Sequence, residues 1–149
     1  MRAFLDSADQ TSALAVIDPQ IQLFLPNYRL VPHEEPLPAD QERPRTRYAA
    51  SSSPCYAELI VTRLFYSHQA VGGGQLQASF LYRDFGPAAA DPRWTYAGSG
   101  TFPLHAFPPS NEGESEAANM ELRTMFQASF EQFARDLVHS RRRHRRRAS

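Results

Sequence analysis

The residues with the clearest chemical potential are arginines at the carboxy end of the chain. The chain has 16 basic residues, all of them Arg, and 16 acidic residues, for a formal charge of zero. Residues 1–140 contain ten Arg against those 16 acids, a net charge of −6. The other six Arg lie within the last nine positions: Arg141, Arg142, Arg143, Arg145, Arg146 and Arg147.

Such a cationic block binds phosphate polymers or anionic lipid surfaces, and Arg contacts phosphate through two parallel hydrogen bonds. The sequence therefore predicts an anion-binding tail whose partner is either nucleic acid or an anionic membrane surface. A third interpretation is a solvated extension that at most folds back on the acidic part of the chain.

Other reactive residue types lack the spacing that chemistry requires. The five histidines are scattered, without the HxH or helical i, i+4 spacing of metal sites: His33, His68, His105, His139 and His144. We therefore expect no metal. The single cysteine, Cys55, follows Pro54 at the start of a predicted strand, which favours a buried structural thiol over a nucleophile.

Two glycine motifs also fail to form a recognised site. Ser99 lies in Gly-Ser-Gly, which is shorter than the nucleophile elbow of hydrolases, and residues 72–74 lack the Lys of a phosphate loop. The acidic residues Glu112, Glu114 and Glu116 are expected to complement the dipole of a helix start. Another acidic pair, Glu34 and Glu35, is expected to be solvated.

These observations predict a protein that is not an enzyme and has no cofactor and no small-molecule substrate. One alternative stays open, a small hydrolase, which would require a pocket that joins His68 or His105 to an acid.

The amino-terminal part is expected to contribute little to the core. Ile21, Leu23 and Leu25 alternate with polar residues between two prolines, a pattern typical of a short strand, while residues 12–17 fit a helical turn or a strand. Residues 31–54 contain five prolines and few apolar side chains, which predicts a disordered connector.

The middle of the chain predicts three antiparallel strands. Residues 56–65 and 75–83 are rich in β-favouring residues and flank three glycines, which predicts a hairpin. Residues 94–102 carry aromatic residues at even positions and continue the meander. On this third strand Gly98 and Gly100 share a face, where missing side chains would admit a helix.

A long amphipathic helix is predicted over residues 114–138. Apolar residues recur there at steps of three and four: Ala118, Leu122, Met125, Phe126, Phe130, Phe133 and Leu137. The predicted fold is α+β, a three- to four-stranded antiparallel meander covered by this helix. The domain layout is an amino-terminal strand region (1–30), the connector (31–54), the core domain (55–138) and a disordered tail (139–149).

The core segments AELIVTRLFYSHQAVGGGQLQASFLYRD, DPRWTYAGSGTF and ELRTMFQASFEQFARDLV resemble a known family. They are similar to the second half of small bacterial envelope lipoproteins, including auxiliary components of ABC-type transport systems and domains at the amino end of the Tol–Pal propeller protein. The resemblance covers residues 55–138. It implies a helix packed across a sheet and a non-catalytic adaptor in envelope transport or assembly, with an envelope protein as partner.

The resemblance assigns no functional residues, because it depends on the pattern and on Arg93-Trp94. The chain has no secretory signal and no lipobox cysteine at its start. We therefore expect a periplasmic or envelope location if the start is truncated, and a cytoplasmic one otherwise. The adaptor would present a sheet edge or apolar patch within residues 56–83.

Overall fold

The computed structural model describes residues 2–4, 7–29, 31, 55–87 and 91–149, with side chains from residue 15 onward. The secondary structure in chain order is β1 (Arg2–Phe4), α1 (Ser7–Phe24), β2 (Tyr56–Gln69), β3 (Gly73–Gly86), β4 (Trp94–Leu104) and α2 (Ser115–Ala148). A single 3-10 turn, Glu112–Glu114, precedes α2. The predicted α+β class is confirmed.

The sheet is an antiparallel meander in the order β1-β2-β3-β4. The hairpin between β2 and β3 pairs Gln69 with Gly73 and turns through Gly72 and Gly73, whose φ angles are 107° and 73°. Positive φ is accessible to glycine without strain, so the glycine run allows the reversal that the sequence predicted.

The helix α2 covers one face of the sheet with its apolar stripe. Its buried residues are Ala118, Phe126, Ser129, Phe130, Phe133, Ala134 and Leu137. The centroid of the Phe80 ring on β3 lies 5.8, 5.6 and 5.1 Å from the ring centroids of Phe126, Phe130 and Phe133. Because α2 and β3 meet through four rings in tilted and edge-on contacts, burial of large apolar area fixes the helix on the sheet.

The absence of a side chain at Gly98 admits α2, as the sequence predicted. A Cβ built at Gly98 would lie 2.9 Å from Cδ2 of Phe133, which is closer than carbon atoms can approach. Gly100 differs, because a Cβ there would meet Phe102 of the same strand. Only Gly98, therefore, provides the space into which the Phe133 ring of α2 packs.

The amino-terminal strand prediction is wrong, because residues 20–24 form the end of α1. Ile17, Ile21 and Leu25 are 0, 5 and 9% exposed, whereas Leu23 is 78% exposed. The buried residues recur every fourth position, as on a helix face. The helix packs against α2, where the Gln127 side chain donates a hydrogen bond of 3.3 Å to the Val16 carbonyl.

The prediction of a disordered carboxy-terminal tail is also wrong. Helix α2 does not end near residue 138 but continues to Ala148, so the Arg-rich segment is helical. Contacts between that segment and the sheet, described below, give the physical reason. The predicted connector falls almost entirely outside the described residues, so its order stays a prediction.

The turn from β4 into α2 is held by one carboxylate. Glu121 accepts hydrogen bonds of 2.8–3.1 Å from the consecutive backbone N–H groups of His105, Ala106 and Phe107. Partial desolvation works to raise the pKa of Glu121, but these three donors outweigh it and lower the pKa below its ordinary value.

Substitution of Gly98 by Ala is expected to destabilise the fold by about 1–3 kcal/mol, because the added methyl group overpacks the contact with Phe133. Chemical denaturation measures the loss. Ser99→Ala, at the exposed neighbouring position, is the matched control and should stay within about 0.5 kcal/mol. Equal stability of the two variants would contradict the inference that Phe133 needs the space at Gly98.

Substitution of Glu121 by Gln is expected to reduce stability at neutral pH by about 1 kcal/mol, because the charged acceptor is lost. Because the pKa of Glu121 is lowered, its carboxylate stabilises the fold at pH values above the ordinary pKa of 4.5. This contribution disappears as the pH falls through the pKa of Glu121 in the folded protein. Denaturation midpoints at several acidic pH values should therefore fall less steeply in Glu121→Gln. Glu116→Gln, at an exposed position in the first turn of α2, serves as the control for loss of one carboxylate, and its effect on the midpoints should be smaller than that of Glu121→Gln.

Candidate functional site

The candidate site is the last three turns of α2, where the Arg-rich segment passes over the amino end of β4. The helix runs antiparallel to β4: Glu121 is held at residues 105–107, Phe133 meets Gly98 and His144 lies over Trp94. The rings of His144 and Trp94 are stacked, with centroids 5.8 Å apart and planes at 24°. This stacking holds the helix end against the sheet.

A buried carboxylate on β3 forms the anchor for this end of the helix. The Asp84 side chain is 6% exposed and lies 3.8 Å from the Arg141 guanidinium. It also accepts bonds of 3.2 and 3.3 Å from Arg93 and one of 2.9 Å from the Gly86 backbone N–H. One negative charge thus holds two arginines, and Arg141 is the only one of them on α2.

Two tyrosines complete the surroundings of Arg141. Its Nη2 donates a hydrogen bond of 3.4 Å to the Tyr28 hydroxyl. Partial burial works to lower the pKa of Arg141, but Tyr82, Tyr28 and Asp84 outweigh it and raise the pKa. Burial raises the pKa of Tyr82 far above its ordinary value, with a further rise from Tyr28 and opposition from Arg141. Tyr82 therefore stays neutral and Arg141 stays charged.

The Tyr82 hydroxyl is buried within this anchor, next to the Tyr28 hydroxyl. The residue is 1% exposed, and the neighbouring Tyr28 contributes to its raised pKa. The Tyr82 ring also contacts the Trp94 ring, with 5.8 Å between the ring centroids.

Beyond Arg141 the arginines are exposed, and they surround the helix on its free sides. The exposed members are Arg142, Arg143, Arg145, Arg146 and Arg147. At about 100° per residue they cover an arc of about 200° within a rise of about 8 Å. The predicted anion-binding set therefore divides into one anchoring residue, Arg141, and a convex surface of five, which we call the Arg surface.

The predicted reactive residues do not converge on a catalytic site. His68, His105, His139 and His144 are exposed, and His33 lies outside the described residues. One depression along α2 is lined by Asp136, His139, Arg142, Arg143 and Arg146, and another by Phe24, Leu25, Leu137, Val138, Arg141, Arg142 and Arg145. Neither joins His68 or His105 to an acid, as a hydrolase would require.

Three further residues that the sequence analysis considered are described by the structure. The Cys55 side chain is exposed, so the prediction of a buried thiol is wrong; the residue precedes the first paired position of β2. Ser99 lies in the middle of β4, as part of the sheet, opposite Ser79. The Glu114 side chain accepts a 3.0 Å hydrogen bond from the Ser110 N–H at the helix start.

A second charged cluster lies on the other face of the sheet and was not recognised from the sequence. Glu58 on β2 and Arg83 on β3 are cross-strand neighbours and form a buried ion pair with side-chain exposures of 8 and 4%. The Tyr56 hydroxyl donates to the other Glu58 oxygen at 2.9 Å, and Arg83 lies 5.7 Å from the Phe85 ring centre. Both carboxylate oxygens accept hydrogen bonds, so the buried charge of Glu58 is compensated within the sheet.

Two classes of site are not found within the described part of the chain. There, no three His, Cys, Asp or Glu side chains come together in a way that would hold a metal ion. No helix among the same residues has the length and apolar character to span a membrane.

Substitution of Asp84 by Asn is expected to loosen the end of α2, because the amide keeps an acceptor for Gly86 but loses the charge that holds Arg141. We expect a stability loss of about 1–2 kcal/mol and faster amide hydrogen exchange over residues 139–148. Glu131→Gln, which breaks an exposed i, i+4 pair with Arg135, should cost less than about 0.5 kcal/mol. Unchanged amide exchange over residues 139–148 in Asp84→Asn would refute the inference that Asp84 holds the end of α2.

Comparisons of the chain with protein-family models, with curated proteins and with solved structures find no match.

Proposed function

We propose that the protein is a non-enzymatic binding protein whose Arg surface contacts the phosphates of a nucleic acid. The observation that carries the proposal is the helical display of five exposed arginines beside two contacts between α2 and the sheet, Arg141 with Asp84 and His144 with Trp94. An ordered display reduces the entropy that a flexible tail would lose on binding.

The shape of the Arg surface favours nucleic acid over a membrane. Charges that cover about 200° of a helix fit a concave groove flanked by phosphates, and the major groove of B-DNA is wide enough for an α-helix. Only part of such a surface would face a flat bilayer at one time. The apolar stripe of α2 is also buried against the sheet, so it offers no apolar face for insertion between lipids.

The residue types favour binding without sequence selectivity. Arg makes bidentate contacts with phosphate, and the release of counterions supplies most of the free energy of such binding. Asp136 is the one acid that lines the depression beside Arg143 and Arg146, so the local charge there is strongly positive. We expect an affinity that falls steeply as salt rises.

A second proposal is the envelope adaptor that the sequence resemblance implies, acting through a protein partner in transport or assembly. What supports it is the architecture, a sheet crossed by a long carboxy-terminal helix, as in the proteins that the chain resembles. Fold alone does not define function, so the Arg surface carries the first proposal and the architecture carries only the second.

Substitution of Arg142, Arg143, Arg146 and Arg147 together by Gln is expected to remove most of the salt-sensitive binding to a DNA duplex. In fluorescence anisotropy the unsubstituted chain should show a plot of log affinity against log salt with a slope of about −4.5, and the fourfold variant, which keeps Arg145, a slope of about −1. The matched control removes the same charge from exposed positions elsewhere, Arg29, Arg63, Arg123 and Arg135.

The same measurement with vesicles separates the alternatives. Retention on vesicles that contain phosphatidylserine, without binding to the duplex, would replace nucleic acid by a membrane as the partner. Equal loss of duplex binding in both fourfold variants would mean that net charge, and not the Arg surface, is responsible. Absence of binding to both polyanions would refute the first proposal and favour the adaptor.

A further inference from the structure

The edge of the sheet formed by β4 is not used by the proposed function. In the sheet that the described residues form, β4 is an outermost strand of eleven residues, whereas the strand at the opposite edge, β1, has three. Its sequence, WTYAGSGTFPL, contains no charged residue, and its pairing with β3 has no bulge. Soluble proteins usually protect a long edge with charges, bulges or proline, and β4 has only Pro103 near its end.

Apolar surface along this edge is left partly open on the helix-covered side. Trp94, Tyr96 and Phe102 are half-buried there. Their cross-strand neighbours on β3 are fully buried, with Tyr82 at 1% and Leu76 at 0% exposure. The difference arises because, among the strands that the structure describes, β4 has a neighbour on one side only. A further strand beside β4 would cover these aromatic rings.

The distribution of charge along α2 indicates what kind of chain would supply that strand. The acidic start of α2, with Glu112, Glu114 and Glu116 exposed, lies towards the Leu104 end of β4. The Arg surface lies at the Trp94 end. Two copies of β4 paired antiparallel would therefore place the Arg surface of each copy towards the acidic helix start of the other.

One flank of α2 faces across β4 towards this position. Burial raises the pKa of Tyr96 on β4, Asp136 raises it further and Arg143 opposes the rise, so both charged residues lie close to the β4 side of the helix. Arg147 follows Arg143 by one helical turn on the same flank. Charged residues of α2 are thus available at the edge where a second α2 would lie.

We propose that the β4 edge pairs with β4 of a second copy of this chain, antiparallel about a two-fold axis at Ser99, to join two four-stranded sheets into one. Ser99 is the middle residue of β4, so this register pairs the whole length of both strands. A two-fold interface needs a self-complementary surface, and an uncharged strand with Gly98 and Gly100 on either side of Ser99 provides one.

The register is tested by disulfide cross-linking in a Cys55→Ser background. In this arrangement Ser99 of one copy faces Ser99 of the other. Directly paired strand residues have Cα atoms about 4.5–5.5 Å apart, which is within the range that a disulfide can bridge. Ser99→Cys should therefore give a covalent dimer under mild oxidation. Thr95→Cys is the control, since its two copies would be about 26 Å apart and should not cross-link.

The interface is tested independently by a charge placed on the axis. Light scattering on the unsubstituted chain should give twice the chain mass of 16.8 kDa. Ser99→Arg should give the monomer mass, because two like charges would face each other, while Ala97→Arg, which would face Thr101 of the other copy, should keep the dimer. A circular dichroism melt establishes that each variant is folded.

Three results would overturn the proposal: a monomer mass for the unsubstituted chain, equal cross-linking at positions 95 and 99, or a dimer that survives Ser99→Arg. None of them depends on nucleic-acid binding, since no substitution here alters the Arg surface. Failure of this proposal and failure of the proposed function are therefore distinguishable.

Discussion

The placement of the Phe133 ring against Gly98 and Phe80 is the constraint on which the arrangement of the two layers depends. It fixes α2 in register along β4, with Glu121 at one end and His144 at the other. The 23 residue steps from Glu121 to His144 span about 35 Å of helix, and β4 spans about 33 Å. Because the lengths match, the helix can be held at both ends as well as in the middle.

This register also explains why a segment with such a high positive charge is ordered. Neighbouring arginines repel each other and contribute no apolar surface, so the segment would have little reason to be helical by itself. Arg141 and His144, however, face the sheet, where Asp84 and Trp94 bind them. The positive charges also complement the negative end of the helix dipole. Tertiary contacts at two residues thus order the whole segment.

The parts that could be predicted from the sequence are those with a strong hydrophobic period. The three long strands and the apolar stripe of α2 follow from alternation and from steps of three and four. The helix that carries Ile17 and Ile21 could not be distinguished from a strand in the sequence. Leu23 makes the apolar residues alternate as in a strand, and only the structure shows that Leu23 is exposed. The helical order of the Arg segment depends on Asp84, which lies far away in the sequence.

Sequence-based prediction has the same limit at the candidate site, because the six arginines differ in their orientation and not in their residue type. Six arginines look equivalent in the sequence, yet Arg141 neutralises a buried acid and only the other five are displayed.

Helical geometry divides the displayed arginines further. Arg142, Arg145 and Arg146 lie within an arc of about 100° on the α1 side and outer side of α2, whereas Arg143 and Arg147 lie on the β4 side. Pairing of two copies through β4 would bring partner acids towards the second group only. The first group would stay exposed to solvent in a dimer, so self-association would reduce the arginines of each copy that are free to contact phosphate from five to three.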